Sequence, residues 1–270
     1  MSDLRIFSYL PNPRIWKATI AARLSGVDVE VRGSSPKELQ SWLWDFDAHP
    51  LSSSELATSA DAQIGKVGFK GTLHKTAAFI EAHPFGTVPA AFSPDGKIGI
   101  FESNSIMRAV ARLGEKRFPL YGRNAYEASR IDSFLDASLV FARDSQIYLL
   151  SLMSGTVSPE IHSRMRDGFK VYMGGINQAL SSERDFIVGD SVTLADICFA
   201  AELALFFNEQ ARPGELLKKN FEPILHDGVD AEYPLAFAHF ERLSKHAAFA
   251  PDMEPYLQKI ESSRTTHPGR

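Results

Sequence analysis

The spacing of apolar and polar positions changes several times along the chain, and each change predicts an element. Leu4 to Leu10 is a short, β-prone apolar run that Pro11 ends. From Pro13 the period becomes helical. Ile15, Trp16, Thr19, Ile20, Ala22, Arg23 and Leu24 give a helix-period stripe, Pro13 suits the first helical position, and Gly26 suits the stop. Val27 to Val31 then alternates and predicts a second strand. A strand, a helix and a strand in quick succession form a βαβ unit and favour a parallel pair.

Gly33 to Ala82 follows no single period. It holds a Trp- and Asp-rich piece from Trp42 to Asp47, a Ser-rich stretch from Ser52 to Ser59, and a helical pattern from about Leu73 to Ala82. After it the pattern sharpens. Pro84 to Pro89 is a turn, and Ala90–Ser93 and Ile98–Phe101 flank Pro94, Asp95 and Gly96 as a hairpin. Glu102 to Ser105 opens a helix that runs to Leu113, with Gly114 as its stop. From Asn124 onward only helices are predicted: Tyr126–Ser154, Ser158–Leu180, one behind a capping box at Thr193–Asp196, and Phe237–Lys245. Ser262 to Arg270 is expected to be disordered. This order predicts an α/β thioredoxin-like domain over residues 1–115, with a long insertion at about 34–82. An all-α helical domain follows over residues 123–261. The boundary falls between Glu115 and Arg123, around Pro119.

Composition narrows the function. The chain has 270 residues and is 44% hydrophobic, enough to bury a core without disulfides or a structural metal. Its net charge of -4 argues against nucleic acid as a partner. The single cysteine, Cys198, lies in an apolar run and reads as a buried thiol. His49, His74 and His83 are too scattered for a recognisable metal site. No apolar stretch approaches the ~20 residues that span a bilayer, and Met1–Phe7 carries no signal-peptide pattern. The expectation is a cytoplasmic protein without a membrane partner.

Three motifs occur in order: Gly86-Thr-Val-Pro89 before a strand, Phe101-Glu-Ser-Asn-Ser-Ile106 after the hairpin, and Phe186 to Ile197 in the helical half. On these the chain resembles the glutathione transferase superfamily, apart from the 33–82 stretch. Within it, Asn12, Arg14, Lys17, Ala18, Ile20–Ala22, Ser25 and Gly26 resemble the transferase-like part of elongation factor 1-gamma and related microbial transferases.

The resemblance implies glutathione as co-substrate. It implies a cis Val88–Pro89 bond, with the Val88 backbone pairing in β fashion with the cysteinyl unit. Glu102 would meet the ammonium of the γ-glutamyl end. Ser103, at a helix N-terminus, would meet its carboxylate. Asp196 is implied as the cap of a core helix, outside the site. The thiol must be held as thiolate, because the thiolate is the nucleophile. Asn12 and Arg14 are the candidates, near the positive end of the first helix, and Ser8 is an alternative donor. Asn12 as a helix cap and Arg14 as a surface ion-pair partner remain open alternatives. Thr87 stands where many relatives place a Lys, so Lys75, His83 or Lys17 is left to hold the glycyl carboxylate.

Two functions follow. In the first, a glutathione transferase activates the thiolate for attack on an apolar aromatic electrophile, with aryl-ether (lignin-type β-ether) cleavage as a specific version. Trp42 and Trp44, helped by Tyr148, Leu149, Leu152 and Met153, would line the acceptor site. In the second, a non-catalytic binding or scaffold subunit uses the same fold. Either is expected as a homodimer or as a heterodimer with a related chain.

Overall fold

The computed structural model describes residues 2–265 apart from 66–68, 70, 117, 182 and 183. The chain divides into two compact units, Met1–Phe118 and Pro119–Arg270.

The first unit opens with β1 (Leu4–Tyr9), α1 (Pro13–Ser25) and β2 (Val29–Ser34). Asn12 caps α1 through its side chain, Pro13 takes the first position, and Gly26 ends the helix in the left-handed conformation at φ 67°. The N–H groups of Gly26 and Val27 both reach back to the Ala22 carbonyl. Val27 therefore belongs to the helix stop, and β2 begins two residues later than the apolar alternation indicates. β1 and β2 pair in parallel from Leu4 opposite Val29 to Tyr9 opposite Ser34. Gly33 allows this close pairing, since a Cβ there would lie 1.7 Å from the Ser8 carbonyl oxygen.

The hairpin forms as β7 (Ala90–Phe92) and β8 (Gly99–Phe101), followed by α4 (Ser103–Leu113). β7 runs antiparallel to both β1 and β8, so the first sheet has the order β2-β1-β7-β8. Helices α1 and α4 pack against each other.

The segment without a clear period folds into a second sheet. Its strands are β3 (Trp42–Trp44), β4 (His49–Pro50), β5 (Ala62–Ile64) and β6 (Thr72–Lys75), in the order β4-β3-β6-β5. A short helix, α2 (Ser53–Thr58), starts on a capping box between Ser52 and Glu55. The helix expected from about Leu73 is a strand as far as Lys75. Thr76 then caps α3 (Ala77–Ala82) through its side chain. One apolar cluster joins the two sheets. Phe7 and Phe92 of the first sheet pack with Leu39, Trp44, Leu73 and Phe79. Trp44 is 1% exposed, stands edge-on to Phe7 at 5.4 Å, and donates its indole N–H to the Leu39 carbonyl. Burying each such side chain stabilises the unit by about 1.5–3 kcal/mol. Trp44 is thus a core residue and not a lining of an acceptor site. Trp42, stacked on Phe7 at 6.1 Å, is half-buried.

The second unit is helical. Its long elements are α5 (Ala125–Met153), α6 (Pro159–Ala179) and α7 (Leu194–Phe206). Short helices α8 (Pro213–Leu217) and α9 (Val229–Glu232) precede α10 (Pro234–Ser244) and α11 (Ala250–Thr265). Helix α7 is buried along nearly its whole length and packs against α5 and α10. Asp196, fully buried at its first turn, accepts from the Ile187 and Thr193 N–H groups, from the Thr193 hydroxyl, and from His239 Nε2 at 2.8 Å. The capping role holds, and the carboxylate also ties α10 to α7. Cys198 is buried, 3.0 Å from the Ser138 hydroxyl.

Tyr148 and Leu152 are at most 1% exposed. Burial holds the Tyr148 hydroxyl protonated well above its ordinary range, and it donates to Glu209 Oε1 at 2.5 Å. Glu209 also accepts from the backbone N–H groups of Ile224 and Leu225, and so fixes that loop. Tyr148 and Leu152 are core residues, while Met153 is exposed. The expected disordered tail is helical in its first part, because α11 continues to Thr265. The Ser262 and Ser263 hydroxyls bond back to the Gln258 and Lys259 carbonyls. Residues 266–270 lie outside the described residues. Among the described residues no helix is long and apolar enough to cross a membrane.

Candidate functional site

The register of the first sheet brings three segments to one end. Phe7 pairs with Ala90, and Ala90 pairs with Phe101. The chain leaving β1 (Ser8 to Asn12), the chain entering β7 (Val88 and Pro89) and the chain leaving β8 (Glu102 and Ser103) therefore share that edge.

The first segment holds the residues expected to face the thiol. Ser8 is fully buried, Asn12 is 1% exposed, and the Asn12 amide donates to the Ser8 hydroxyl at 3.2 Å. Asn12 Oδ1 accepts from the Arg14 N–H at 3.0 Å, and the Asn12 carbonyl accepts from the Ile15 N–H. Pro13 has no N–H. The first turn of α1 is thus closed by its own cap, for which Asn12 uses its side-chain oxygen, while its amide nitrogen is taken by Ser8. Arg14 is half-buried at the second helical position and carries a fixed positive charge.

The second segment is a turn braced from two sides. Val88–Pro89 is cis. Lys75 Nζ donates to the Gly86 carbonyl at 2.6 Å and sits 4.8 Å over the Trp44 ring. Gly86 has φ 57°, a conformation that favours glycine. On the other side His83 is fully buried, with Nε2 within 3.2 Å of the Thr87 N, O and Oγ1 atoms.

The third segment is the most open to an anion. Ser103 begins α4 and is 8% exposed. The Glu102 carbonyl accepts from the Ser105 and Ile106 N–H groups, while among the described residues no group accepts from the Ser103 N–H. A free N–H, a hydroxyl and the positive end of an eleven-residue helix together suit a carboxylate. Lys17, 1% exposed on α1, donates to Asn104 Oδ1 at 2.8 Å and approaches the Ser103 hydroxyl at 3.4 Å. Glu102 is exposed and has φ 64° and ψ 123°, a region that side chains rarely occupy.

Of the three cations considered for a glycyl carboxylate, Lys75 and His83 lie on the Val88–Pro89 side and Lys17 lies with Ser103. The signal for the His83 contact was in the sequence: a His four residues before Thr87, across a turn made by Pro84 and Gly86. Nothing in the sequence signalled the strain at Glu102.

No family model matches the chain. It is 32% identical over 148 residues to Elongation factor 1-gamma 3 of Oryza sativa subsp. japonica, covering 54% of this chain and 35% of that protein. It is 30% identical over 130 residues to Glutathione S-transferase F9 of Arabidopsis thaliana, covering 46% of this chain and 60% of that one. Among solved structures, Ure2p5 from Phanerochaete chrysosporium, cocrystallised with 1-(S-glutathionyl)-2,4-dinitrobenzene, superposes with a TM-score of 0.64. That match covers 100% of this chain and 99% of the other, at 16% identity. The chain has the glutathione transferase fold. A glutathione S-transferase from Methylobacterium radiotolerans in complex with glutathione sulfonate matches similarly, with a TM-score of 0.62, 19% identity and 93% and 94% coverage. The chain spans about a third of the length of the elongation factor it resembles.

Proposed function

We propose that this end of the first sheet binds glutathione and holds its thiol as thiolate for attack on an apolar electrophile. The observation that carries the reading is the convergence of three segments with complementary chemistry. The Val88 backbone offers a peptide-like edge, the Ser103 N–H and hydroxyl offer a carboxylate site, and Glu102 offers an exposed anion for the ligand's ammonium. Lys75, beside Gly86, is the cation nearest the Val88 side and takes the glycyl carboxylate.

Arg14 carries the thiolate charge in this proposal. Ser8 and Asn12 act through it, because their polar groups bond to each other and to the helix end. In the reaction the sulfur lone pair forms a C–S bond while the bond from that carbon to its leaving group breaks, and the leaving group departs with the electron pair. Cleavage of an aryl ether is the finer version, with a phenolate leaving. The lining expected for it is narrower, since Trp44, Tyr148, Leu149 and Leu152 are each buried in their own unit, and only Trp42 and Met153 keep accessible surface. A dimer, of two copies or with a related chain, belongs to the same proposal, and sedimentation distinguishes the two.

The burial of Ser8 and Asn12 favours a second reading, a binding or scaffold subunit, in which no hydroxyl or amide meets a thiol. Calorimetric titration of glutathione into wild type and Ser103→Ala tests the proposed site. Binding that weakens about tenfold or more in the variant is expected, since a hydrogen bond to a charged group contributes about 1.5–3 kcal/mol. Absence of binding to wild type removes the glutathione reading.

A further inference from the structure

His83 stands at the C-terminal end of α3, where its backbone N–H bonds to the Phe79 carbonyl. Its ring is fully buried and lies flat against Phe101, with centroids 4.8 Å apart and planes 4° from parallel. Phe79 covers it from α3 at 5.7 Å. Nε2 is 3.1 Å from the Thr87 N–H nitrogen and 2.9 Å from the Thr87 carbonyl oxygen, while Nδ1 is buried without a hydrogen-bond partner. A neutral ring can satisfy Thr87 by accepting its N–H or by donating to its carbonyl. The bond from the N–H fixes the peptide plane between Gly86 and Thr87, whereas the bond to the carbonyl fixes the plane between Thr87 and Val88. That peptide is trans, so the Val88 N–H points opposite to the Thr87 carbonyl and away from the His83 ring.

We propose that His83 is the positioning residue of the ligand-binding turn: by donating to the Thr87 carbonyl it aims the Val88 N–H, and it keeps its buried seat only while its ring is neutral. A protonated ring carries donors on both nitrogens. Its Nε2–H still meets the Thr87 carbonyl, but the proton on Nδ1 has no acceptor and the charge sits buried between Phe79 and Phe101, so charging drives the ring from its seat. Lys75 on β6 is the charged group that acts on the ring, while α3 and β8 present Phe79 and Phe101. Burial lowers the pKa of His83 below its ordinary value of 6.5; the contact with Thr87 opposes this and Lys75 adds to it. At neutral pH the ring is neutral and the turn is set. As pH falls through the lowered pKa the ring charges and the turn is released. The inference rests on glutathione binding at Val88, which the test separates from it.

The experiment measures affinity for S-methylglutathione, a thioether with no thiol to titrate, from about pH 7.5 to about pH 5, a range in which its carboxyls hardly titrate. Wild type, His83→Gln and His83→Phe are compared. Gln keeps a polar nitrogen near the Nε2 position without a basic site, and Phe keeps only the stack. Wild-type affinity is expected to fall by up to about tenfold for each pH unit below the ring's pKa. His83→Gln is expected to bind with a flat profile, and His83→Phe to bind weakly throughout. Alongside, NMR of the ligand-free protein follows the Thr87 and Val88 amides against the His83 ring proton, and all three are expected to titrate together. A wild-type profile as flat as that of His83→Gln overturns the inference. A ring that titrates without moving the two amides does the same. If wild type binds no S-methylglutathione at any pH, the reading of the ligand fails, and the co-titration alone decides the role of His83.

Discussion

Glu102 offers a test in which stability and binding move in opposite directions. Its backbone sits at φ 64° and ψ 123°, and its side chain makes no capping bond to α4. A side-chain-bearing residue in such a region costs about 1–3 kcal/mol. Glycine adopts it without steric penalty but adds about 0.5–1 kcal/mol of unfolded-chain freedom. The Glu102→Gly variant is therefore expected to be more stable than wild type by up to about 2.5 kcal/mol, the largest difference of these two ranges. Glu102→Ala keeps the Cβ and the strain and is expected to stay close to wild type. The assay is urea unfolding of the three proteins followed by fluorescence. With a slope of about 1–3 kcal/mol per molar urea, the glycine variant's midpoint should rise by several tenths molar. Glutathione binding should weaken in both variants, because both lose the carboxylate proposed to meet the ligand's ammonium. A glycine midpoint at or below that of the alanine variant would refute the reasoning, since the backbone would then carry no relievable strain.

Other sites give sharper losses. Asp196→Ala leaves four buried donors without their acceptor and is expected to destabilise the helical unit by about 3–5 kcal/mol, read as the unfolding midpoint. Tyr148→Phe removes one of the three donors to Glu209 and should cost about 1.5–3 kcal/mol, with earlier hydrogen exchange at Ile224 and Leu225. Gly33→Ala sets a Cβ against the Ser8 carbonyl and should cost about 3 kcal/mol or more, with loss of protection along β1 and β2. If Gly33→Ala is as stable as wild type, the close β1–β2 pairing described here is wrong.

The parts of the fold that were legible in the sequence are those with local signals. Pro13 and Gly26 mark α1, Pro94–Gly96 marks the hairpin, Thr193 and Asp196 mark α7, and the long apolar periods mark α5 and α6. The second sheet was not legible because its strands are only two to four residues long, too short for an alternation to register. Its register comes from packing Trp44, Leu73 and Phe79 onto Phe7, contacts between residues distant in sequence. The same reason explains the two tryptophans. Sequence shows that they are adjacent to a candidate site but not which face they occupy, and Trp44 faces the core. At the candidate site the motifs located Val88, Pro89, Glu102 and Ser103, which the register brings to one edge. Competition for the same atoms was not legible. Asn12 is claimed by the cap of α1, and Ser8 by Asn12.

The most direct test of the central claim follows the thiolate absorbance of glutathione bound to the protein across a pH series, with Arg14→Leu and Ser103→Ala in parallel. The account predicts that the bound thiol ionises a unit or more below the ordinary thiol value of about 8.5. Arg14→Leu should return it toward that value, while Ser103→Ala weakens binding without moving it. A bound thiol that ionises like the free one, or an Arg14→Leu complex indistinguishable from wild type, would contradict the account.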